Sequence, residues 1–338
     1  MIDFHAHVGI PEAEEIARNS PGWEGNQAAL ARRYRDPATA AHMASVASEW
    51  DRRLTDPEER IRFMDDAGIS TQIVSVNPGQ YHYWMGEADS AELVGRVNAQ
   101  LARIVESAPP NRLLGLATVS LQHPELAATQ LERAVERDGL VGVQISTSAG
   151  GRDLADPAFD GLWSAAERLD VAVFVHPLGC PQLTDRLAPS YLNNVVGQPL
   201  ETTIALSLLI FSGVLDRHPG LRICAAHGGG YLPHYLGRGD HAWGVRPDSR
   251  TMAHPPRWYL RGIYVDSLVH SAEVLTNLLR TMGPDRVVVG TDYPFDMGET
   301  DPASAIGAVR HLTAEQRHAI AVDNALRLLG PRAAGRHS

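Results

Sequence analysis

Eight short runs rich in β-branched and apolar residues, separated by helix-forming stretches, constrain this 338-residue chain more than any other feature. They read MIDFH (1–5), STQIVSVN (70–77), LLGLATVSL (113–121), LVGVQIST (140–147), VAVFVHP (171–177), LRICAAH (221–227), IYVDSLV (263–269) and RVVVGTDYP (286–294). Runs this continuously apolar belong in a sheet covered on both faces, and strand–helix alternation builds such a sheet with parallel strands. Eight units predict a (β/α)8 TIM-type barrel, a fold that routinely reaches this length as one domain, here 1–338.

The intervening stretches carry helix punctuation. Residues 56–68 have Asp56 as N-cap, Pro57 at the first helical position and Gly68 as the stop. Residues 90–108 and 124–139 place apolar side chains three and four apart. Residues 199–220 are apolar nearly all round, which predicts a helix packed against several neighbours. Residues 301–312 and 313–330 read as closing helices. A long insertion, 11–56, interrupts the first strand–helix connection and is expected to cap the barrel mouth.

No run of 18 apolar residues is long enough to span a bilayer, and residues 1–7 do not resemble a secretory signal, so a cytoplasmic location and no membrane partner are expected. The formal charge of −10 without an arginine-rich stripe argues against a nucleic-acid partner. Two cysteines cannot build a disulfide framework. Cys224, inside an apolar strand, reads as a small core residue, and Cys180, four positions after His176, as a conceivable ligand. All 30 basic residues are arginine. That excludes a Schiff-base lysine, a lysine general base and a carbamylated lysine bridging two metals.

The chemistry-bearing residues gather at strand ends. In a barrel, active sites lie at the C-terminal ends of the strands. His5 and His7 sit at the end of the first run, two apart and so on one face. His176 follows the fifth run, His227 the sixth, just before Gly228-Gly229-Gly230, and Asp292 the eighth. Any one of these histidines alone reads as a satisfied core or loop residue. Five metal-competent groups at matching ends of four strands point instead to an open site for zinc, with manganese or another divalent ion as the alternative.

These motifs, IDFHAH, VFVHP, ETTIALSLLIFSGVLDRHPGLRI, AHGGGYLPHYLGRGDHAW and DRVVVGTDYPFDMGE, occur in an order that resembles the metal-dependent amidohydrolase superfamily. Within it the chain is similar to the branch of aminocarboxymuconate semialdehyde decarboxylase and related aromatic acid decarboxylases. The resemblance implies that His5, His7, His176 and Asp292 hold one divalent metal per subunit, with His227 as the acid/base. It also implies that Arg238 binds an anionic group in a neighbouring subunit's site, and hence a homodimer. The implied substrate is a small carboxylic acid, decarboxylated without oxidation. The alternative on the same site is hydrolysis or hydration, with attack on a C–C, amide or lactone bond of a ring-cleavage-type substrate.

The chain departs from the family pattern in the insertion. An ungapped comparison puts Ser48 where the semialdehyde decarboxylase has a second substrate-binding arginine, which makes Arg52, or Arg53, the candidate for that role. Leu178 stands where the relative has tryptophan. Trp23, Trp50, Tyr81, Tyr83 and Trp84 are candidates to stack on a planar substrate.

Overall fold

The computed structural model describes residues 1–334. Its eight-stranded sheet runs in sequence order: β1 (Ile2–Val8), β2 (Thr71–Val76), β3 (Leu113–Ala117), β4 (Gly142–Ile145), β5 (Ala172–Val175), β6 (Arg222–Ala225), β7 (Ile263–Asp266) and β8 (Val287–Val288). Every neighbouring pair from β1 to β8 is parallel. Parallel bridges Asp3–Val289 and Ala6–Tyr293 then join the end of β8 back to β1. The expected (β/α)8 barrel is therefore the observed architecture.

All eight expected strands form, and most are shorter than their apolar runs. The run at 286–294 pairs as a strand only at Val287–Val288. Past each strand end the backbone turns to present polar groups at the barrel mouth, so apolar character outlasts the ladder. β1 differs, extending to Val8, because Val8 and Asn77 stay bonded along β2.

Two apolar layers hold the barrel. Ile2, Phe4, Leu114, Leu116, Phe174, Cys224 and Val288 fill the interior, joined by Ala325, Leu328 and Leu329 of the C-terminal helix. The shell between strands and helices holds the complementary residues of each strand, such as Ala6, Val8, Val173, Val175, Ile223 and Val265. Cys224 is the core residue its sequence context suggests.

Four helices follow β1: α1 (Pro11–Asn19), α2 (Trp23–Arg33), α3 (Pro37–Thr55) and α4 (Pro57–Asp66). Asp36 and Asp56 cap α3 and α4, each accepting from two backbone N–H groups ahead of it, with proline at the first helical position. The apolar stretch 199–220 forms Gln198–Phe211 and Val214–Arg217, split where Gly213 takes a left-handed φ of +71°. One helical stretch, Pro189–Phe211, is long and apolar enough to cross a membrane, with mean hydropathy 1.2. Here Ala205, Leu206, Leu209 and Ile210 are buried in the shell. In the expected helix 301–312 only Pro302–Gly307 forms, whereas Ala314–Leu329 is helical throughout, with a π-turn at Ala319–Asp323.

Candidate metal centre and active site

His5, His7, His176 and Asp292 converge at the C-terminal ends of β1, β5 and β8, one ligand atom from each lying within 4.8 Å of the others. All four are buried. Each imidazole arrives by a different local route. In β1 the register slips between Asp3 and Ala6. Ile2 and Phe4 point inward below the slip and His5 and His7 above it, so Phe4 and His5 both touch Phe174. Without that irregularity strict alternation from Phe4 would send both histidines outward. His176 keeps phase with Ala172 and Phe174. Asp292 keeps phase with Val288 but takes a left-handed φ of +56°.

The Nδ1 atoms are all tied down on the side away from the cluster. His5 Nδ1 lies 2.8 Å from Asp266 Oδ2, His7 Nδ1 3.3 Å from Ser75 Oγ, and His176 Nδ1 2.8 Å from Pro177 O. A carboxylate and a carbonyl can only accept, so His5 and His176 carry their proton on Nδ1 and offer Nε2 to the centre. There hydrogen bonding is incomplete. His5 Nε2 and His7 Nε2 face each other at 3.2 Å, and Asp292 Oδ1 stands 3.2 and 3.1 Å from them without an aligned bond. His176 Nε2 is buried with no partner. Separations near 3.2 Å are what two ligands keep when each is about 2.0–2.1 Å from one cation in tetrahedral geometry. The donor set therefore fits a single divalent metal ion.

Electrostatics say the same. Burial works against a charged His5, but the carboxylates of Asp292 and Asp266 outweigh it and raise His5 to about 10. Burial brings His7 down to about 4 and, with His5 and His7 beside it, His176 well below its usual range. Burial alone would raise Asp292, yet His5, His227 and His7 hold it well below the carboxylate range. The pocket is built for positive charge at its centre.

His227 completes the arrangement without joining the cluster of ligand atoms. Cys224 on β6 and Ala226 just after it point inward, so His227 would fall on the outer face; a left-handed φ of +55° turns it in. Its ring packs 5.1 Å from that of His176 and 5.4 Å from that of His5, and Nε2 lies 3.7 Å from Asp292 Oδ2. It lines two cavities of about 300 Å³ each, which meet at His227 and Asp292. One holds Leu30, Arg33, Tyr34, Met43 and Trp50 of the insertion together with His176 and Leu178; the other is bounded by Val195, Tyr231, Val269 and Val274.

Glycine explains the loop that follows. Gly228, Gly229 and Gly230 all have positive φ, and a Cβ on Gly230 would stand 2.2 Å from Pro199 O. No other residue fits so close to a neighbouring backbone.

Three supporting residues escape a search for ligands. Asp266, at the end of β7, binds His5 through Oδ2, which also accepts His227 N–H at 2.9 Å; its Oδ1 accepts Gly228 N–H at 2.8 Å and Leu268 N–H at 3.1 Å. Asp3 accepts from Thr291 N–H at 3.0 Å and Thr291 Oγ1 at 2.6 Å, which seats the residue before Asp292. Arg60 of α4 is buried, stacks on Tyr293 and donates to His7 O and to Gln72 Oε1. Asp266 had a readable signal, an acidic residue at a strand end like the ligands themselves; Asp3 and Arg60 needed the fold.

The structure keeps other candidates apart from the cluster. Arg52 is exposed and paired with Glu59, while Arg53 pairs with Glu49 and Glu59. Arg238 is exposed on the helix Leu232–Val245. Neither Arg52 nor Arg238 lines the two cavities. Cys180 is buried beside Gln182 and Glu201, where burial raises its thiol to about 11, and it is not among the clustered ligand atoms. Of the aromatic candidates Trp50 alone lines either of these two cavities; Tyr81 stacks on Tyr83, and Trp23 packs against Trp84.

Several known proteins are similar to this chain. The 2-amino-3-carboxymuconate-6-semialdehyde decarboxylase of Dictyostelium discoideum is 33% identical, over 97% of this chain and 91% of its own. A 2,6-dihydroxybenzoate decarboxylase solved with 2,6-dihydroxybenzoate superposes with a TM-score of 0.81 at 26% identity, covering 97% of this chain and 98% of its own. The 5-carboxyvanillate decarboxylase of Novosphingobium aromaticivorans, solved with manganese and 3-methoxy-4-hydroxy-5-nitrobenzoic acid, gives 0.83 at 25% identity, covering 97% and 96%. A family model described as Amidohydrolase matches residues 2–330. With barrel, strand-end histidines and relatives in agreement, the chain belongs to the amidohydrolase family.

Proposed function

We propose that this protein is a metal-dependent, non-oxidative decarboxylase of an aromatic or unsaturated carboxylic acid, with one divalent cation, zinc or manganese, held by His5, His7, His176 and Asp292. The observation that carries the reading is the convergence of these four side chains at 4.8 Å or closer, beside a histidine that lines both cavities. When bound, the cation would supply Lewis-acid polarisation of a substrate oxygen. His5 and His176 are oriented for it by Asp266 and Pro177. Losing carbon dioxide leaves an electron pair on carbon that must take a proton. His227 is placed to deliver it: Nδ1 is buried, which leaves Nε2 to meet substrate, and an imidazole both gives and takes protons near neutrality.

The helices at 11–55 act as a cap in this reading, since α2 and α3 wall the cavity over His176. A second subunit covers the helix face carrying Arg238, where Tyr235 is 73% exposed. Tyr235 and Arg238 are three apart and share one helix face. Arg238 would there reach a carboxylate in the partner's site, a role its planar fork suits.

The test is a screen of dihydroxybenzoates and catechol-derived semialdehydes, following absorbance and carbon dioxide together. Release of carbon dioxide that falls by roughly 10²–10⁴ in His227→Asn, with metal content unchanged, is expected. Turnover of a carbonyl substrate without carbon dioxide would make the enzyme a hydrolase.

A further inference from the structure

A carboxylate behind His5 and a carbonyl behind His176 place the ring protons directly, but His7 is backed by a hydroxyl, which can give or take. What decides its direction lies one residue further away. Gln144 is the one polar side chain of β4, and it is fully buried. Its neighbours Val143 and Ile145 belong to the shell, so strand alternation turns Gln144 into the barrel. Ser75 of β2, two beyond the interior Ile73, is buried on the same side. Alternate strands of a barrel contribute to one layer of side chains, and here β2 and β4 do so: Ser75 Oγ is hydrogen-bonded to Gln144 Oε1.

The direction of each bond follows from the far end. Val76 O can only accept, so the Gln144 atom 2.9 Å from it is the amide nitrogen, and Oε1 faces Ser75. An amide oxygen also only accepts, so the single hydroxyl proton of Ser75 goes to Gln144. Sending it to Ala6 O, at 3.3 Å, would leave two oxygens in contact with no proton between them. Ser75 Oγ then has only lone pairs to offer His7 Nδ1, 3.3 Å away, and the ring must donate. A ligating imidazole is neutral and has one proton to place. With that proton on Nδ1, Nε2 is bare on the side where His5 and Asp292 stand.

We propose that Gln144 sets the tautomer of His7 through Ser75 and so readies Nε2 for the cation. Gln144 is a positioning residue, joined to the ligand ring by the hydroxyl between them. This rests on the reading of His5, His7, His176 and Asp292 as a metal centre.

The test is zinc affinity of metal-stripped protein, by competition with a chromophoric chelator. Gln144→Met removes the acceptor and Ser75→Ala the relay, and each should weaken zinc by about tenfold, the low end for a group behind a ligating histidine. Because both act along one path, the double variant should bind no more weakly than either alone; independent effects would multiply to about a hundredfold. Gln144→Glu keeps an oxygen toward Ser75 and, as a buried neutral acid, a donor toward Val76 O. It should melt lower than wild type yet bind zinc within about twofold of it, which a merely structural role would not allow. A Gln144→Met protein with wild-type affinity overturns the proposal, as do losses that multiply, or a Gln144→Glu affinity that falls in step with melting. Proton–nitrogen correlation spectra of metal-free, histidine-labelled protein read the ring itself, with His7 assigned by its loss in His7→Asn. The proton should sit on Nδ1 in the wild type, and an Nε2-protonated form should appear in Gln144→Met; a wild-type ring protonated on Nε2 refutes the relay. A wild type that binds no zinc but gives this pair of spectra sinks the metal centre and leaves the relay standing.

Discussion

Replacing Asp266 by asparagine removes one oxygen from a carboxylate that answers four donors at once. Asp266 is fully buried, and its two oxygens accept from His5 Nδ1, His227 N–H, Gly228 N–H and Leu268 N–H. An amide has two orientations. With its oxygen toward His5, the NH2 group faces the Gly228 and Leu268 N–H groups, and two buried donors lose their partner. At about 1–3 kcal/mol for each, the fold loses roughly 2–6 kcal/mol. With its oxygen toward Gly228, one donor, the His227 N–H, is orphaned. His5 Nδ1 must then accept, the ring proton moves to Nε2, and that nitrogen no longer ligates. Either way metal affinity should fall about 10- to 100-fold, the usual effect of losing a carboxylate behind a ligating histidine. Competition against a chromophoric chelator measures the affinity, and thermal melting of metal-stripped protein measures the fold. Asp266→Asn with wild-type metal affinity and melting unchanged would refute the idea that this carboxylate fixes the His5 proton.

Further expectations concern the same centre. Stripped of metal at pH 7, the protein should hold His5 protonated, since its value is raised to about 10. Binding one equivalent of zinc or manganese should then release about one proton, and affinity should rise with pH up to that value. Calorimetry in buffers of different ionisation enthalpy counts the proton, and a count of zero contradicts the electrostatics. Gly230→Ala puts a Cβ 2.2 Å from Pro199 O at a φ of +66°; a loss of about 1–3 kcal/mol or more and reduced activity are expected by chemical denaturation and assay. Mixing Arg238→Ala with Asp292→Ala subunits should recover part of the activity that each lacks alone, and no recovery would remove the shared-site reading.

Much of this molecule is legible before any coordinate is known. The eight apolar runs, the cap at Asp56 and the stop at Gly68 are local signals, because strand burial and helix capping depend on residues a few positions apart. The gathering of His5, His7, His176, His227 and Asp292 is legible for a related reason, since their apolar runs end near them and a barrel brings its strand ends to one mouth, whereas dividing them into four ligands and an acid/base came from the family resemblance. The tertiary structure alone decided how they are aimed. Alternation from Phe4 would turn His5 and His7 out, and alternation from Cys224 would turn His227 out; a register slip in β1 and a left-handed residue after β6 reverse both. It also chose the partners. Asp266 stands 261 residues from His5, and Asp3 is 288 from Thr291. Apolar periodicity is written along the chain, but which carboxylate meets which imidazole depends on where distant segments are brought together, and only the closed barrel fixes that.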